Sequence, residues 1–368
     1  MRIEPIGEPR VIMSNPASLH NYFAWPSVAR LKNGRLAAAA SGFRLAHVCP
    51  FGKTVLAFSE DEGEHYSLPA PVIDTTLDDR DGGLTPFGSS GLIVTSFTSS
   101  RELLMKRAFC NFGKKPTPGQ RAYLEAYFEN LSEEDCARDY GSHFRVSFDN
   151  GVSFGPVYNS PVSSPHGPTE LADGRILWVG HQTGHINDRP LAAAEVDPYT
   201  GACRVIGEIE PIYWGERRMT SCEPYARQMP DGRILCHIRV QGTDDFASVF
   251  TLYQCESEDG GRHWSKPVQI LGDYEGAPSH LLVRSDGSVI ASYGRRRDGI
   301  GIYAAVSFDQ GRSWPEKNLP LVTGGELRDL GYPMTVELKD GTLATVYYGH
   351  ADPEGPAVIF QQKWRLTD

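Results

Sequence analysis

The sequence predicts an all-β chain folded as a six-bladed β-propeller with a helical insertion in blade two. Three observations predict it. One turn phrase is written four times, one hairpin signal is written six times, and 38 Gly and 26 Pro punctuate 368 residues. Internal periods of this kind mean one supersecondary unit repeated, and four-stranded units arranged radially with short, protected edges make a propeller.

The turn phrase is Ser-x-Asp-x-Gly-x-x-aromatic. It reads FSEDEGEHY at 58–66, VSFDNGVSF at 146–154, ESEDGGRHW at 256–264 and VSFDQGRSW at 306–314. Ser and Asp side chains bond nearby backbone, Gly supplies the left-handed residue, and the aromatic buries itself against a neighbour. The phrase is therefore scaffolding, expected on the outer rim. VDPYTGACR at 196–204 reads as a decayed fifth copy.

The hairpin signal reads NGRLAAAA (33–40), SSGLIVTSF (89–97), DGRILWVG (173–180), DGRILCHI (231–238), DGSVIASY (286–293) and DGTLATVYY (340–348). Asn-Gly and Asp-Gly between apolar runs are strong hairpin signals. Six of them make six copies of one β unit, taken as a single domain over 1–368. After 340 only three strands of blade six remain, so PRVIM (9–13) is expected to supply the fourth and close the ring. One segment breaks the pattern, PTPGQRAYLEAYFENLSEEDCARDY at 116–140. Its Leu124, Tyr127 and Leu131 stand at helical spacing and SEED resembles an N-cap. The insertion is set at about 112–142, capping one rim.

A net charge of −10 argues against a nucleic-acid partner. No apolar run approaches the length of a membrane span. Seven scattered cysteines without CxxC spacing read as reduced, buried thiols rather than a zinc site. No metal-ligand spacing appears, and no cofactor is implied. MRIEPIGEPRVI has no apolar signal core, so a cytoplasmic location is expected, or a secreted one if a leader was removed.

Aligning the units on the hairpin Gly exposes a column about nine residues upstream, where the first strand of each blade begins. It holds Trp25, Asp81–Gly82, His166, Glu223, Ser279–His280 and Tyr332. A second column, seven to ten residues downstream, holds Arg44, Thr98, His181, Arg239, Arg295/Arg297 and His350. In a propeller both columns converge on one mouth of the channel. Structural positions would hold Val, Leu or Gly; here they hold acids, bases and a phenol.

The turn phrase is similar to the Asp-box, or BNR, repeat of the sialidase and neuraminidase family, and the repeats resemble its six-bladed propeller along nearly the whole chain. The resemblance implies a tyrosine nucleophile opening the last blade and a blade-four glutamate that polarises it. Tyr332 in GYPMTVELKDG and Glu223 in CEPYARQMPDG stand at those places. A phenol is a poor nucleophile unless a carboxylate withdraws its proton. The resemblance also implies three arginines clamping a sugar carboxylate, since guanidinium forks match its oxygens. Arg239 fits the second; Arg297 fits the third, with Arg295 as competitor. The first is absent: the family's Arg-Ile-Pro is Ala24-Trp25-Pro26 here. Arg44 matches a different family arginine, near the glycosidic oxygen. The family's acid, an Asp on the blade-one loop, is also missing from LAHVCPFGK. That leaves His47 on the loop, or Asp81 with Asp78 and Asp79 beside it. His166, His181 and His280 are placed to bind sugar hydroxyls, and Trp25 and Trp214 to stack on a ring.

Three readings follow. One is a glycoside hydrolase acting on a terminal acidic sugar, exo-sialidase-like, with a glycan or acidic monosaccharide as partner. The second is an uronate-acting lyase or other carbohydrate enzyme on the same propeller. The third is a non-catalytic glycan-binding propeller.

Overall fold

Each Asp-Gly or Asn-Gly turn folds in the same way. Its Asp or Asn side chain accepts from the backbone N–H two residues on, at 2.9–3.1 Å in blades one, three, four, five and six. The flanking backbone closes around it, as in Gly34 N to Leu31 O (2.9 Å) and Leu31 N to Arg35 O (2.8 Å). These turns join the inner two strands of antiparallel sheets. The computed structural model describes residues 1–110, 115–184, 189–242, 249–276 and 278–367.

Six sheets form the propeller. Blade one runs Tyr22–Arg30, Leu36–Arg44, Lys53–Ser59 and Ala70–Ile73. Blade two runs Arg80–Phe87, Gly91–Phe97, Ser142–Ser147 and Tyr158–Ser160. In blade three the first strand is split into Val162–Ser163 and Thr169–Glu170, both pairing Ile176–Gln182. Blade four opens with Thr220–Gln228 and blade five with Ser279–Val283. Blade six is Gly331–Glu337, Leu343–His350 and Ala357–Thr367, and its outer strand is the N-terminal Arg2–Met13. The ring is thus closed by the chain's own start, over a longer strand than PRVIM alone.

The turn phrase stands where its physics places it. Ser59 Oγ donates to Asp61 Oδ1 (2.9 Å) and accepts from Gly63 N (2.9 Å), while Asp61 Oδ1 accepts from His65 N (2.8 Å). The same bonds recur at Ser147/Asp149, Ser257/Asp259 and Ser307/Asp309. Asp61 and Asp259 are more than 40% exposed, so these acids face solvent. The closing aromatics pack onto the preceding blade: Trp314 with Leu235 and Leu252, Trp264 with Leu177, Phe154 in the cluster that holds Ala37 and Leu56 of blade one, Tyr66 on blade six. In the decayed copy Asp197 holds the turn without a serine, accepting from Tyr199 N and Thr200 Oγ1, while Thr200 Oγ1 accepts from Ala202 N.

The insertion begins earlier than its apolar spacing suggests. Helix α1 spans Arg101–Ala108, α2 Pro118–Asn130 and α3 Glu133–Asp139; residues 112–114 of the expected range lie outside the described residues. Ser132 caps α3, as SEED implied, but the reciprocal capping box is Thr117 with Gln120 at the start of α2. Helix α1 is masked in the sequence by its weak amphipathy, with only Leu104 and Ala108 buried. The helices pack Leu104, Leu124 and Phe128 on Leu77 and on Leu45, Val48 and Phe51 of the blade-one loop. Phe51 stacks on Tyr123 at 4.7 Å. The insertion therefore braces the loop that carries His47. No described helix is long and apolar enough to cross a membrane.

Trp314 is 6% exposed and donates Nε1–H to Gln254 at 2.9 Å across the blade boundary. Trp314→Ala should cost about 3–5 kcal/mol in chemical denaturation, while ligand binding by the folded fraction stays unchanged. A loss below 1 kcal/mol would mean the turn phrases do not hold the blades together.

Candidate active site

Four members of the upstream column share one backbone feature. Trp25, Asp81, Glu223 and Tyr332 all have positive φ, between 49° and 53°. Each lies where its strand slips register against the second strand, between Ala24 and Ser27, Arg80 and Gly83, Cys222 and Tyr225, and Gly331 and Met334. A bulge of this kind re-aims a side chain that regular pleating would send between the blades. Holding a non-glycine residue there costs about 1–3 kcal/mol. The backbones also crowd at this end: a Cβ on Gly294 would lie 3.0 Å from the Cα of Gly331.

The re-aimed side chains meet. Tyr332 Oη donates to Glu223 Oε1 at 2.6 Å, and Arg239 Nη1 donates to Glu223 Oε2 at 2.5 Å and to Tyr332 Oη at 3.3 Å. Burial pushes the Glu223 carboxyl up, but Arg239, the Tyr332 hydroxyl and Arg296 outweigh it and hold it below the usual range. Burial and the neighbouring Glu223 charge push the Tyr332 phenol well above 10. The pair is a carboxylate accepting from a neutral phenol.

Beside it opens a cavity of about 290 Å³, lined by Arg239, Arg296, Arg297 and Arg328 with Phe250 and Tyr274 as aromatic walls. The Arg239 and Arg296 guanidinium groups lie 4.8 and 5.6 Å from the Phe250 ring centre, and Arg297 lies 5.2 Å from that of Tyr274. Among the described residues no carboxylate lines this cavity. In a chain of net charge −10 it is a local basic basin.

Asp81, on the blade-two bulge, is 5% exposed. Burial raises its pKa to about 7, with the Glu223 and Asp78 charges adding to the rise against Arg80 and Arg44. Its charge in turn acts on Tyr332 and on Cys222 next to Glu223. Two carboxylates near one phenol thus have pKa values driven apart.

On the blade-one side a further carboxylate organises the wall. Asp329 accepts from Tyr22 Oη (2.8 Å), His47 Nδ1 (3.0 Å), Tyr348 Oη (3.1 Å) and His350 Nε2 (3.2 Å). Tyr348 packs 5.9 Å from Tyr332, and its hydroxyl also accepts from Arg296 at 3.3 Å. Trp25 stands between, 4.8 Å from His47 and 6.5 Å from Tyr332.

The chain matches the BNR repeat-like domain family over residues 121–345, well over half its length. It belongs to that family. Among solved structures it is similar to a protein of unknown function from Dyadobacter fermentans, at 22% identity and TM-score 0.73, with 99% of each chain covered. It is also similar to the leech intramolecular trans-sialidase (15% identity, TM-score 0.66, 98% of this chain and 70% of that one). A third is the intramolecular trans-sialidase from Ruminococcus gnavus (16% identity, TM-score 0.65, 98% and 99%). At these identities the likeness shows the sialidase-type propeller fold. No curated protein sequence matches the chain.

Within this BNR repeat-like fold several sequence expectations need correction. Arg44, expected on a ligand, is fully buried. Its fork is engaged by Asp78 at 2.5 and 2.8 Å, with Ser41 Oγ and the His47 carbonyl taking further N–H groups. Trp25, expected as a stacking platform, is 2% exposed; Arg80 and Arg44 lie 3.9 and 4.8 Å from its ring centre. His166 and His280 lie buried in the channel wall, packed on each other and on Tyr225, and burial keeps both neutral. His181 is half-buried against Phe97, with its pKa lowered to about 4 by burial. Arg295 turns to Tyr303, 4.9 Å away, so Arg296 rather than Arg295 joins Arg297 at the basin. The strand ends at Arg295, and beyond it strand alternation no longer says which arginine points inward. Trp214 sits on a separate exposed hairpin, Tyr213–Trp214 with Arg217–Arg218. His47, a candidate acid, has its pKa lowered to about 4 by burial, so it holds no second proton near neutrality.

The acids beside Asp81 lie inside the protein, Asp78 and Asp79 both being fully buried. Burial raises the Asp79 pKa to about 8, although Thr75 N–H and hydroxyl bond its carboxyl. A folded-state value above the unfolded one means that Asp79's own contribution to stability is fully present below about pH 4 and is lost as pH rises towards 8. Asp79→Asn should flatten that fall by a few kcal/mol, read as urea midpoints across the range. An unchanged slope would show that Asp79 is ionised in the folded protein.

Proposed function

We propose that the protein is a glycoside hydrolase that removes a terminal acidic sugar, exo-sialidase-like, with Tyr332 as nucleophile. The observation that carries this reading is the 2.6 Å bond from Tyr332 Oη to Glu223 at the edge of an arginine-lined basin. Arg239, Arg296 and Arg297 suit a carboxylate on the sugar. A neutral phenol approaches such an anionic substrate without charge repulsion, which a carboxylate nucleophile would meet. The sialidases with which the chain shares its fold support the substrate class.

The steps follow from the charges. Tyr332 Oη attacks the anomeric carbon while its proton passes to Glu223, and the Tyr332 O–C bond forms as the glycosidic C–O bond breaks. Glu223 alone is too weak a base to ionise the phenol in the resting state, so proton transfer accompanies attack, and Arg239 stabilises the developing phenolate. Asp81 gives its proton to the departing oxygen. Water, deprotonated by Asp81, then releases the sugar and restores Tyr332 with a proton from Glu223.

Tyr332→Phe should retain the fold and binding but lower turnover of 4-methylumbelliferyl α-N-acetylneuraminate by at least about a thousandfold, the scale of losing a nucleophile. A 2,3-difluoro acidic sugar should label Tyr332 in the wild type, read by peptide mass. Full activity in the variant, or an unsaturated uronate among products of a uronide panel, would sink the reading.

The acid assignment has its own test. A group that must be protonated, with a pKa of about 7, gives an activity that falls as pH rises through about 7. Asp81→Asn should remove this alkaline limb and most activity, least for substrates whose leaving group needs no proton. If the limb survives in Asp81→Asn, another acid serves.

A further inference from the structure

Gln241 ends the second strand of blade four, Ile234–Gln241, two residues after Arg239 and outside both sequence columns. Its amide oxygen accepts from Arg239 Nε (3.1 Å) and Nη2 (2.6 Å). Both partners are donors, so Oε1 and not the amide nitrogen faces Arg239. On its other edge Arg239 Nη1 holds Glu223 (2.5 Å) and Tyr332 (3.3 Å). Four of the five N–H groups of this guanidinium are thereby engaged inside the protein.

The other cations of the basin are placed differently. Arg296 donates Nε to the Leu330 carbonyl (3.1 Å) and Nη2 to Tyr348 Oη (3.3 Å). These bonds fix the fork, and Nη1 has no bond among the described residues. Arg328, exposed on the loop before blade six, makes no hydrogen bond or ion pair among the described residues. Both arginines line the same cavity as Gln241. The Arg239 charge, in contrast, is already matched by Glu223. An anion bound to Arg239 would share one guanidinium with a second carboxylate. On Arg296 and Arg328 it meets charges with no acid partner, where the attraction is uncompensated. A neutral amide completes the Arg239 fork without setting a second anion beside Glu223.

We infer that Gln241 is a positioning residue that fills the Nε–Nη2 edge of Arg239 and keeps it on Glu223, so that the acid of the sugar is received by Arg296 and Arg328. The contacts of Gln241 stand by themselves; that the acid belongs to a sugar rests on the proposed function.

Calorimetric titration tests both parts, with N-acetylneuraminate and glucuronate as probes, each beside its uncharged methyl ester. The wild type should bind at least one acid about tenfold or more tighter than its ester; equal binding, or none, overturns the inference. Arg296→Gln and Arg328→Gln should each weaken acid binding by roughly ten- to a hundredfold, the scale of hydrogen bonds to charge, with the ester unaffected. Unchanged acid binding in Arg328→Gln overturns the assignment, and this exposed position carries the test if Arg296→Gln does not fold. Gln241→Ala should leave the Kd of the acid within about threefold. A gain of about tenfold would place the acid on the edge that Gln241 vacates, and a loss of that size would place it on Gln241 itself; either overturns the inference. In turnover of 4-methylumbelliferyl α-N-acetylneuraminate, Gln241→Ala should lower kcat about tenfold with KM nearly unchanged, because the fork holds Glu223 less firmly. A rise in KM without a fall in kcat overturns the positioning role. An inactive wild type would sink the glycosidase reading alone, since the titrations do not depend on turnover.

Discussion

The mouth depends on one backbone constraint, the left-handed residue at the start of the first strand in four blades. Regular pleating alternates side chains between the two faces of a blade, and both faces are covered by neighbouring blades. Only a bulge frees a side chain to lean over the channel. Trp25, Asp81, Glu223 and Tyr332 take this conformation, with φ near 50°. Each is followed by Pro26, Gly82, Pro224 or Pro333, inside the stretch where ladder pairing lapses. Proline lacks an N–H, so it costs nothing where the ladder is already broken. Four strained residues together cost several kcal/mol, which the closed ring and its inter-blade aromatics offset.

That geometry creates an electrostatic arrangement that none of its members would hold alone. Glu223 is half-buried, its side chain 18% exposed, and stays ionised because Arg239 and Tyr332 both bond it. Removing either leaves a largely desolvated charge with half its partners, which destabilises the site. Asp81 is buried with no such fork and keeps its proton to about pH 7. A proton acceptor and a proton donor therefore face one phenol, and the difference between them is made by arginine placement rather than by side-chain type.

The scaffold was legible because local chemistry wrote it. Ser-x-Asp-x-Gly turns and Asp-Gly hairpins depend on residues within five positions, so the six-bladed fold followed from counting, and its sialidase-type architecture from the resemblance of the turn phrase. The upstream column was legible too, because equal phase along equivalent strands means equal height. What failed was direction. Arg44 and Trp25 have the right phase but point inward, into the Asp78 and Arg80 contacts. Arg296 was missed because it lies one residue past a strand end. Asp329 was missed because its partners Tyr22 and His47 lie some 300 positions away, brought near only by ring closure. Helix α1 has too narrow an apolar face to register as a period.

The central claim is that Glu223 and Tyr332 act as one unit, and a double-mutant cycle on turnover tests it most directly. Glu223→Gln, Tyr332→Phe and the double variant would be compared by kcat/KM on one acidic glycoside, with folding checked for each. If Glu223 works only through the Tyr332 proton, the double variant should be no slower than Tyr332→Phe alone, since groups that act together lose their effect together. Losses that multiply, with the double variant slower by the product of the two single effects, would show that the two residues act independently and would contradict the account.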